Sequence, residues 1–280
     1  MRHPAQLFQA PRGIQRGIPL KQVLDRKAIA LIGASFAAVH PSFDAHRFES
    51  MALEGLEPLG ILPRGDHIAA ALQAQLPKER TVDLLIAALG PELSVTKGFG
   101  LAVFFYLPHV YLIRRALLDQ PEGGLRANYE ITKRFSGEFS LRPFLLRHQD
   151  LTLATLATWA RDPNPHVRRL VSEGSRPRLP WAERLPPFQA DPTPTLALLD
   201  MLKDDPELYV RRSVANHLGD IAKDHPQRIF ALAGQWLDEA LSLPSAQREA
   251  RMWLIRHALR HPAQKGVPAA IRLRKAAGGR

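Results

Sequence analysis

The sequence predicts an all-α protein, built as a helical-repeat solenoid with a concave basic face, on three observations. Two related segments, 162–171 and 205–214, share Asp-Pro, Val-Arg-Arg and Val in register at a spacing of 43 residues, and a period near this value is typical of HEAT-like helical repeats. Apolar residues recur at helical spacing, and no alternating run is bounded by hairpin turns. The chain carries 38 Lys and Arg against 27 Asp and Glu, a net charge of +11, so the expected partner is a polyanion.

The elements follow in chain order. Residues 1–19 contain arginines and prolines without an apolar core, which predicts a flexible basic N-terminal arm. The repeat domain is predicted over 20–261. Residues 262–280 carry five basic side chains and no acid, which predicts a disordered basic tail. Helices or helical pairs are predicted over 20–38, 66–89, 126–147, 150–175, 195–224, 226–240 and 245–261, with a Gly-rich break at 120–124 and a Pro-rich loop at 185–194.

Composition also limits the chemistry. The chain has no Cys, which excludes disulfides, a thiolate nucleophile and Cys-based metal sites. Its 11 histidines show no His-Glu-X-X-His or comparable ligand spacing, so we expect no metal site. The longest apolar run, 101–113, is too short to cross a bilayer and contains Pro108, so no transmembrane segment is expected.

The repeat predicts a basic surface. In each copy we expect the Asp to cap a helix, the Pro to occupy its first position, and the Arg pair to follow one turn later. Stacked repeats present equivalent residues on one surface, and a looser third copy follows at 248–260. The two Arg pairs would then form a row matched to successive phosphates. We call this the Arg row: Arg168, Arg169, Arg211 and Arg212.

Three acids lie close to this basic surface in the predicted register. Glu173 borders the apolar stripe of its helix and can face the groove. Asp220 lies one turn beyond Asn216, the register equivalent of Glu173, so acids from adjacent repeats could converge. Glu138 shares a helix side with two phenylalanines, where an acid is expensive to bury.

Two explanations of these acids remain open. The first is helical ion pairing, of Glu138 with Arg142, Glu173 with Arg169 and Asp220 with Lys223. The second is a site for something positive, such as a cationic damaged base or a developing sugar cation.

Several motifs carry a resemblance to a known family. They are Lys97–His109, Thr132–Leu145, Val167–Trp181 and Tyr209–Pro226. Through them the chain resembles the AlkC branch of HEAT-repeat DNA alkylation repair glycosylases, over roughly residues 20–260. A generic repeat array does not require the sequence Ser-Glu-Gly-Ser-Arg-Pro-Arg-Leu-Pro-Trp in a loop after a helix.

The resemblance implies a bacterial monofunctional DNA glycosylase that removes N3-methyladenine and N3-methylcytosine and leaves an abasic site without cutting the strand. It implies no metal or organic cofactor, and duplex DNA with alkylated bases as the partner. We expect a monomer without an obligate protein partner, located in the cytoplasm at the nucleoid. Some members add a C-terminal immunoglobulin-like domain that contacts DNA; the chain ends about 20 residues after its last helical unit, so we expect those contacts to be missing.

By motif match, Glu138, Glu173 and Asp220 correspond to the acids around the lesion and Trp181 to the active-site aromatic. We expect Asp220 to orient water, Glu173 to help stabilise the sugar cation and Glu138 to support the site. Trp181 could equally be a core residue on composition alone. The residues expected to bind phosphates are Arg168, Arg169, Arg176, Arg178, Arg211 and Arg212.

Two other functions remain open. The chain could be a noncatalytic HEAT-repeat protein that binds bent or damaged duplex DNA, or a scaffold for an acidic protein. The surroundings of Glu173 and Asp220 distinguish a catalytic protein from one that only binds DNA. Carboxylates that face an open basic groove favour catalysis, whereas carboxylates in salt bridges with neighbouring Arg and Lys favour binding alone.

Overall fold

A computed structural model describes residues 2–279 of the chain. All regular secondary structure in this part is helical, with 16 α-helices and four short 3₁₀ helices, which confirms the predicted all-α helical-repeat class. The chain forms two compact units, Met1–His148 and Gln149–Arg280. The predicted domain limits, 20–261, stay a prediction, as does the concave form of the basic face.

The first unit contains seven α-helices among its described residues. Asp25 and Asp44 cap the first two, each accepting a hydrogen bond from the backbone N–H three residues on, at 2.8 and 2.9 Å. The helices are α1 Arg26–Ala37, α2 Ala45–Leu53, α3 Ile61–Gln73, α4 Thr81–Ala87, α5 Leu107–Ala116, α6 Pro121–Thr132 and α7 Glu138–Arg147. Short 3₁₀ helices lie at Pro4–Gln6, Leu20–Val23, Lys78–Arg80 and Ala102–Tyr106.

The N-terminal arm differs from the flexible segment predicted over 1–19. Phe8 is buried, with its ring centroid 5.4 Å from that of Phe105. The backbone N–H of Leu101 donates to the carbonyl of Pro11 at 3.0 Å. Burial of an aromatic ring is worth a few kcal/mol, which explains why this part of the arm is held against its unit.

The Gly-rich segment 120–124 is not a break, because α6 begins at Pro121 and continues through it. A Cβ atom at Gly124 would overlap the ring of Phe144 on α7. The glycine therefore permits the close approach of two helices, a packing requirement that resembles a turn signal in the sequence.

The second unit carries the repeats. α9 packs against α12, and α12 packs against α14, so the helices of the three related segments are successive neighbours, as the register predicts. The helices are α8 Gln149–Trp159, α9 Pro165–Gly174, α10 Pro186–Ala190, α11 Thr193–Leu202, α12 Leu208–Ile221, α13 Pro226–Ala240, α14 Ser245–Ala258, α15 Arg260–Gln264 and α16 Pro268–Ala276. The segment predicted as a loop over 185–194 therefore contains the short helix α10.

We predicted that the Asp-Pro pairs start the repeat helices, with Asp as the cap and Pro at the first position. The structure shows that they do not. Asp162 and Asp205 instead accept hydrogen bonds from the backbone N–H two residues on, at 2.8 and 2.9 Å. This hydrogen bond forms a turn before the helix. The aspartate oxygen that accepts it is then not available to cap the helix. Asn164 caps α9, while α12 begins at Leu208 without a side-chain cap.

The predicted disordered tail, 262–280, is wrong for the described residues, because α15 and α16 occupy most of it. α16 packs against α13 and α14 and buries Ala270. The carbonyl of Ala277 accepts a hydrogen bond from Nη1 of Arg256. Charge composition predicted disorder, but alanine and leucine at helical spacing supply an apolar face.

Across residues 2–279, no helix has both the length and the apolar composition that crossing a bilayer would require.

Candidate functional site

Two acids of the second unit converge on one arginine. Glu173 lies in the last turn of α9 and Asp220 in the last turn of α12. Arg176, just after α9, donates from Nη1 to Oε1 of Glu173 at 2.6 Å and from Nε to Oδ2 of Asp220 at 2.8 Å. We call Glu173, Arg176 and Asp220 the carboxylate cluster. The register predicted that acids of adjacent repeats could converge, and the packing of α9 against α12 brings them together.

Glu173 is buried, with 6% of its surface exposed. Burial by itself would raise the pKa of its carboxyl group, but the guanidinium groups of Arg169 and Arg176 and a hydrogen bond from the Ser213 hydroxyl outweigh it, so the pKa lies below its ordinary value. The Ser213 hydroxyl donates to Oε2 at 2.6 Å. The carboxylate is therefore ionised at neutral pH.

Asp220 has an inner and an outer partner. Its Oδ2 atom binds Arg176, whereas its Oδ1 atom accepts from Nζ of Lys223 at 2.8 Å. The Asp220 side chain is 6% exposed and the Lys223 side chain 56% exposed. An ion pair with so exposed a lysine is worth less than about 1 kcal/mol, so this outer partner can be exchanged at little cost.

The helix dipoles oppose both carboxylates. Glu173 and Asp220 are each the second-last residue of their helix, where a negative charge is disfavoured by roughly 0.3–1 kcal/mol. Arg176 offsets this repulsion because it carries a positive charge to both helix ends. Burial raises the cost of an unpaired charge still further, so the cluster depends on this arginine.

Both carboxylates are ion-paired and buried. That Glu173 can face a groove therefore stays a prediction. The geometry matches the first explanation of the acids for Asp220 with Lys223, and for Glu173 with Arg169, whose Nη2 lies 3.5 Å from Oε1. The principal partner of both acids, Arg176, was expected to bind a phosphate instead.

The first arginine of each Arg pair is engaged within its own repeat. Nη1 of Arg168 donates to the carbonyls of Asp162 and Pro163 at 2.8 and 2.9 Å. Nη1 of Arg211 donates to the equivalent carbonyls of Asp205 and Pro206 at 2.5 and 2.8 Å. Both arginines thus fasten the Asp-Pro turn, and their predicted role as phosphate contacts stays a prediction.

The second arginine of each pair lies differently. The guanidinium carbon of Arg169 is 5.4 Å from the ring centroid of Tyr209, beside the carboxylate cluster. Arg212 is exposed. Arg178 makes a bidentate pair with Asp224, at 2.6 and 3.0 Å. Within the predicted phosphate-binding set, Arg212 is therefore the member most available to an external anion.

Trp181 is a surface residue. It is 64% exposed, which excludes the core alternative. Its φ of 67° makes it the one non-glycine residue with positive φ among those that the structure describes. Such a backbone costs of order 1–3 kcal/mol and clusters at functional sites. The strain and the exposed ring are consistent with the predicted role of Trp181 at the lesion, which stays a prediction.

Glu138 lies in the first unit, where it is the first residue of α7. The hydroxyl of Ser136 donates to its Oε2 at 2.7 Å. A negative charge in the first turn is favoured by the helix dipole, so Glu138 has a structural role that its position beside two phenylalanines did not reveal.

Two residues beside the carboxylate cluster, His257 and Arg260, were missed from sequence, and both contact Asn216, which was named only for its register. Oδ1 of Asn216 accepts from Nη2 of Arg260 at 3.0 Å and lies 3.3 Å from Nε2 of His257. Burial and the charge of Arg176 lower the pKa of Arg260, while Asp220 opposes that shift. His257 and Arg260 belong to the loose third copy, so its register was the available signal. No group of three His, Asp or Glu side chains within 2–279 is arranged to hold a metal ion.

Comparisons with known proteins give two extensive likenesses. The solved structure of Pseudomonas fluorescens alkylpurine DNA glycosylase AlkC, bound to DNA containing an abasic site analog, is 36% identical and covers 92% of this chain and 68% of its own, with a TM-score of 0.79. The uncharacterized protein YhaZ of Bacillus subtilis (strain 168) is 34% identical over 256 residues, which are 91% of this chain and 67% of YhaZ. No family model matches the chain.

Proposed function

The chain belongs to the AlkC-type family of alkylpurine DNA glycosylases, and on this premise we propose that it hydrolyses the N-glycosidic bond of alkylated bases in duplex DNA and leaves an abasic site. The proposal is carried by the family membership together with the convergence of the two motif-matched acids, Glu173 and Asp220, in the carboxylate cluster. A buried ion network is often less stabilising than apolar residues of similar volume, so its presence calls for a role beyond stability.

The proposed substrates are bases methylated at N3, namely 3-methyladenine and 3-methylcytosine. Methylation at N3 gives the base a positive charge, which makes it a good leaving group without protonation by the protein. The remaining task is to stabilise the oxocarbenium-like sugar and to orient water. Fixed carboxylates do this best where water is scarce.

The carboxylate cluster carries a net negative charge, suited to a cation, once Arg169 and Lys223 have turned from it to DNA phosphates. Glu173 and Asp220 contribute −2 and Arg176 contributes +1, a sum of −1. Arg169 and Lys223 would raise this sum to +1, but both are side chains that a DNA phosphate attracts. DNA binding would thus leave a net negative site beside the sugar.

Within this site we assign the water-orienting role to Asp220. When Lys223 turns to a phosphate, Oδ1 of Asp220 loses its partner, while Arg176 still holds Oδ2. A carboxylate held by one oxygen can accept a hydrogen bond from water through the other. Glu173 supplies charge, and the exposed ring of Trp181 would pack against the lesion or its displaced partner.

The second candidate is a DNA-binding protein without glycosylase activity. One observation favours it, since both carboxylates are already ion-paired. In that case the cluster would only join α9 to α12, and the basic surface would recognise bent or damaged duplex.

The test is to incubate the protein with methylated duplex DNA and to identify the released bases by mass spectrometry. We expect free 3-methyladenine and 3-methylcytosine, and strands that break only after alkali treatment of the abasic sites. Binding without base release would establish the second candidate and reject the first.

A further inference from the structure

A strongly basic cavity lies between α14 and α16 of the second unit. Its volume is about 380 Å³, and it is lined by three arginines and two aromatic rings, Arg256, Arg260, Arg274, Trp253 and His257. It lies beside the carboxylate cluster, but none of the three cluster residues lines it.

One helical face supplies most of this cavity. Arg256 and His257 lie three and four residues after Trp253 on α14, which places the three side chains on one side of that helix. Arg260 is the first residue of α15 and continues the same spacing. The rings of Trp253 and His257 are stacked, with centroids 4.9 Å apart and planes at 14°. The stack forms a flat wall beside the guanidinium groups.

The positive charge of the cavity is poorly compensated. Arg256 pairs with Glu249 at 2.6 Å, but Glu249 is 70% exposed. Arg260 donates to neutral oxygens of His257 and Asn216, at 2.6 and 3.0 Å. Among residues 2–279, Nε of Arg274 has no hydrogen-bond partner, which leaves a donor of a charged group unsatisfied in this part of the chain.

The charges around the cavity act on the titratable side chain of His257. Burial, and then the charges of Arg260, Arg212 and His261, lower the pKa of His257 to about 4. His257 is therefore neutral near pH 7 and adds no charge of its own. Burial is the larger cause of this pKa shift, and the charges of Arg260 and Arg212 add to it; a bound anion would offset the part that comes from these charges.

We propose that this cavity binds a backbone phosphate of the DNA strand next to the lesion, with Arg274 as the principal contact. A phosphate oxygen would accept hydrogen bonds from the guanidinium group of Arg274, which lines the cavity, and the Trp253 and His257 rings would cover the adjoining sugar. Arg260 ties the cavity to Asn216, on the same helix as Asp220, so a phosphate held here positions the strand relative to the carboxylate cluster.

The proposal rests on DNA being the ligand in the proposed function. The phosphate-binding proposal concerns affinity and not base release. The first measurement therefore uses unmodified duplex DNA, from which no base is released. The variant is Arg274→Gln, and the matched control is Arg272→Gln. Arg272 lies on the same helix and is exposed, but it lines a different cavity, with Phe230 and Leu273.

The measurement is duplex affinity as a function of salt concentration. We expect Arg274→Gln to weaken binding about 5- to 10-fold at low salt and to reduce the slope of log K against log salt by about 0.9, the value of one phosphate contact. Arg274→Lys should keep the slope, and Arg272→Gln should change it little. Thermal melting checks that each variant is folded.

A second measurement uses a duplex with one abasic-site analog, which fixes the position of the protein on the DNA. Neutral methylphosphonates, placed one at a time along this duplex, should weaken binding to the wild-type protein at the contacted position. Arg274→Gln should lose that sensitivity.

An unchanged slope for Arg274→Gln, equal changes for Arg274→Gln and Arg272→Gln, or a methylphosphonate profile without a sensitive position would each overturn the proposal. A wild-type protein that binds DNA but releases no base would reject the glycosylase function and leave this site intact. A wild-type protein that binds no DNA would reject both.

Discussion

At the residue scale, Trp181 combines two properties that rarely occur together, an exposed indole ring and a left-handed backbone. The 64% exposure means that the ring contributes little to the core, and the φ of 67° costs folding free energy. A residue that is costly and poorly buried is a better candidate for binding than for stability.

Replacing Trp181 should therefore separate stability from function. We expect Trp181→Gly to leave the free energy of unfolding unchanged or to raise it by about 1 kcal/mol, because glycine adopts positive φ without strain. Base release from methylated DNA should fall about tenfold or more, by loss of stacking worth roughly 1–3 kcal/mol. Melting curves and single-turnover rates measure the two effects. A destabilised variant with full activity would show that the ring packs rather than binds.

The amides Glu173→Gln and Asp220→Asn keep the shape of the cluster and remove its charge. We expect each to slow base release about 10²- to 10³-fold, as loss of one electrostatic contact to a transition state commonly does, while affinity for unmodified duplex stays within about twofold. Asp238→Asn is the matched control, because Asp238 is an exposed acid on α13. Wild-type rates in both cluster variants would leave the carboxylates a purely structural role.

At the scale of elements, the repeats are joined by charged pairs. Nε of Arg168, on α9, donates to Oδ2 of Asp205, before α12, at 2.6 Å, and the side chains are 12% and 3% exposed. Hydrogen bonding to Asp205 raises the pKa of Arg168. This contact fixes one repeat to the next at the position where we predicted a phosphate contact.

Removing this link should cost stability before it costs DNA affinity. We expect Arg168→Ala to lower the free energy of unfolding by about 3–5 kcal/mol, because Asp205 would remain buried without its partner. The exposed Arg212→Ala is the comparison, with unchanged stability and a shallower salt dependence of DNA binding. A stable Arg168→Ala variant with a shallower salt dependence would identify Arg168 as a phosphate contact after all.

The helix α5 carries a pH-sensitive core residue. His109 is completely buried among aromatic rings, and both of its ring nitrogens lack hydrogen-bond partners. Burial, and to a smaller extent the charge of His3, lower its pKa from 6.5 to about 3. The folded state thus favours neutral His109, while the unfolded chain takes up a proton below about pH 6.5.

Stability should therefore fall as the pH decreases from 6.5 towards 3, since the unfolded state binds more protons in this window. We expect His109→Leu to remove part of this dependence and to stabilise the protein at pH 5 relative to the wild type. Melting temperatures between pH 7 and pH 5 measure the effect. His46→Gln, at an exposed histidine of α2, should retain the wild-type slope. Parallel slopes for the wild type and His109→Leu would contradict the assignment.

At the scale of the whole molecule, the excess of basic over acidic residues dominates recognition. The net charge of +11 predicts binding to duplex DNA whose affinity falls steeply with salt, with a slope of about −0.9 for each phosphate contacted. Polyglutamate at equal charge concentration should compete weakly, because it lacks the regular phosphate spacing. Equal competition by polyglutamate and DNA would instead favour a scaffold that binds an acidic protein.

The sequence by itself determined the helical class, the repeat register and the identity of the acids that converge. Each of these follows from local spacing, since residues three or four apart share a helix face and a period of 43 residues places equivalent positions on neighbouring helices. The motif resemblance added a family, which the comparisons support.

Only the tertiary structure decided which charges meet. Arg176 binds the two acids, Arg168 binds Asp205, and Gly124 leaves room for Phe144 of α7. Arg176 and Asp220 are 44 residues apart, and Arg168 and Asp205 are 37 apart, beyond the reach of helical spacing. Their geometry depends on how the helices pack. Packing also sets how deeply each charged side chain is buried, and a buried charge is costly unless it is paired.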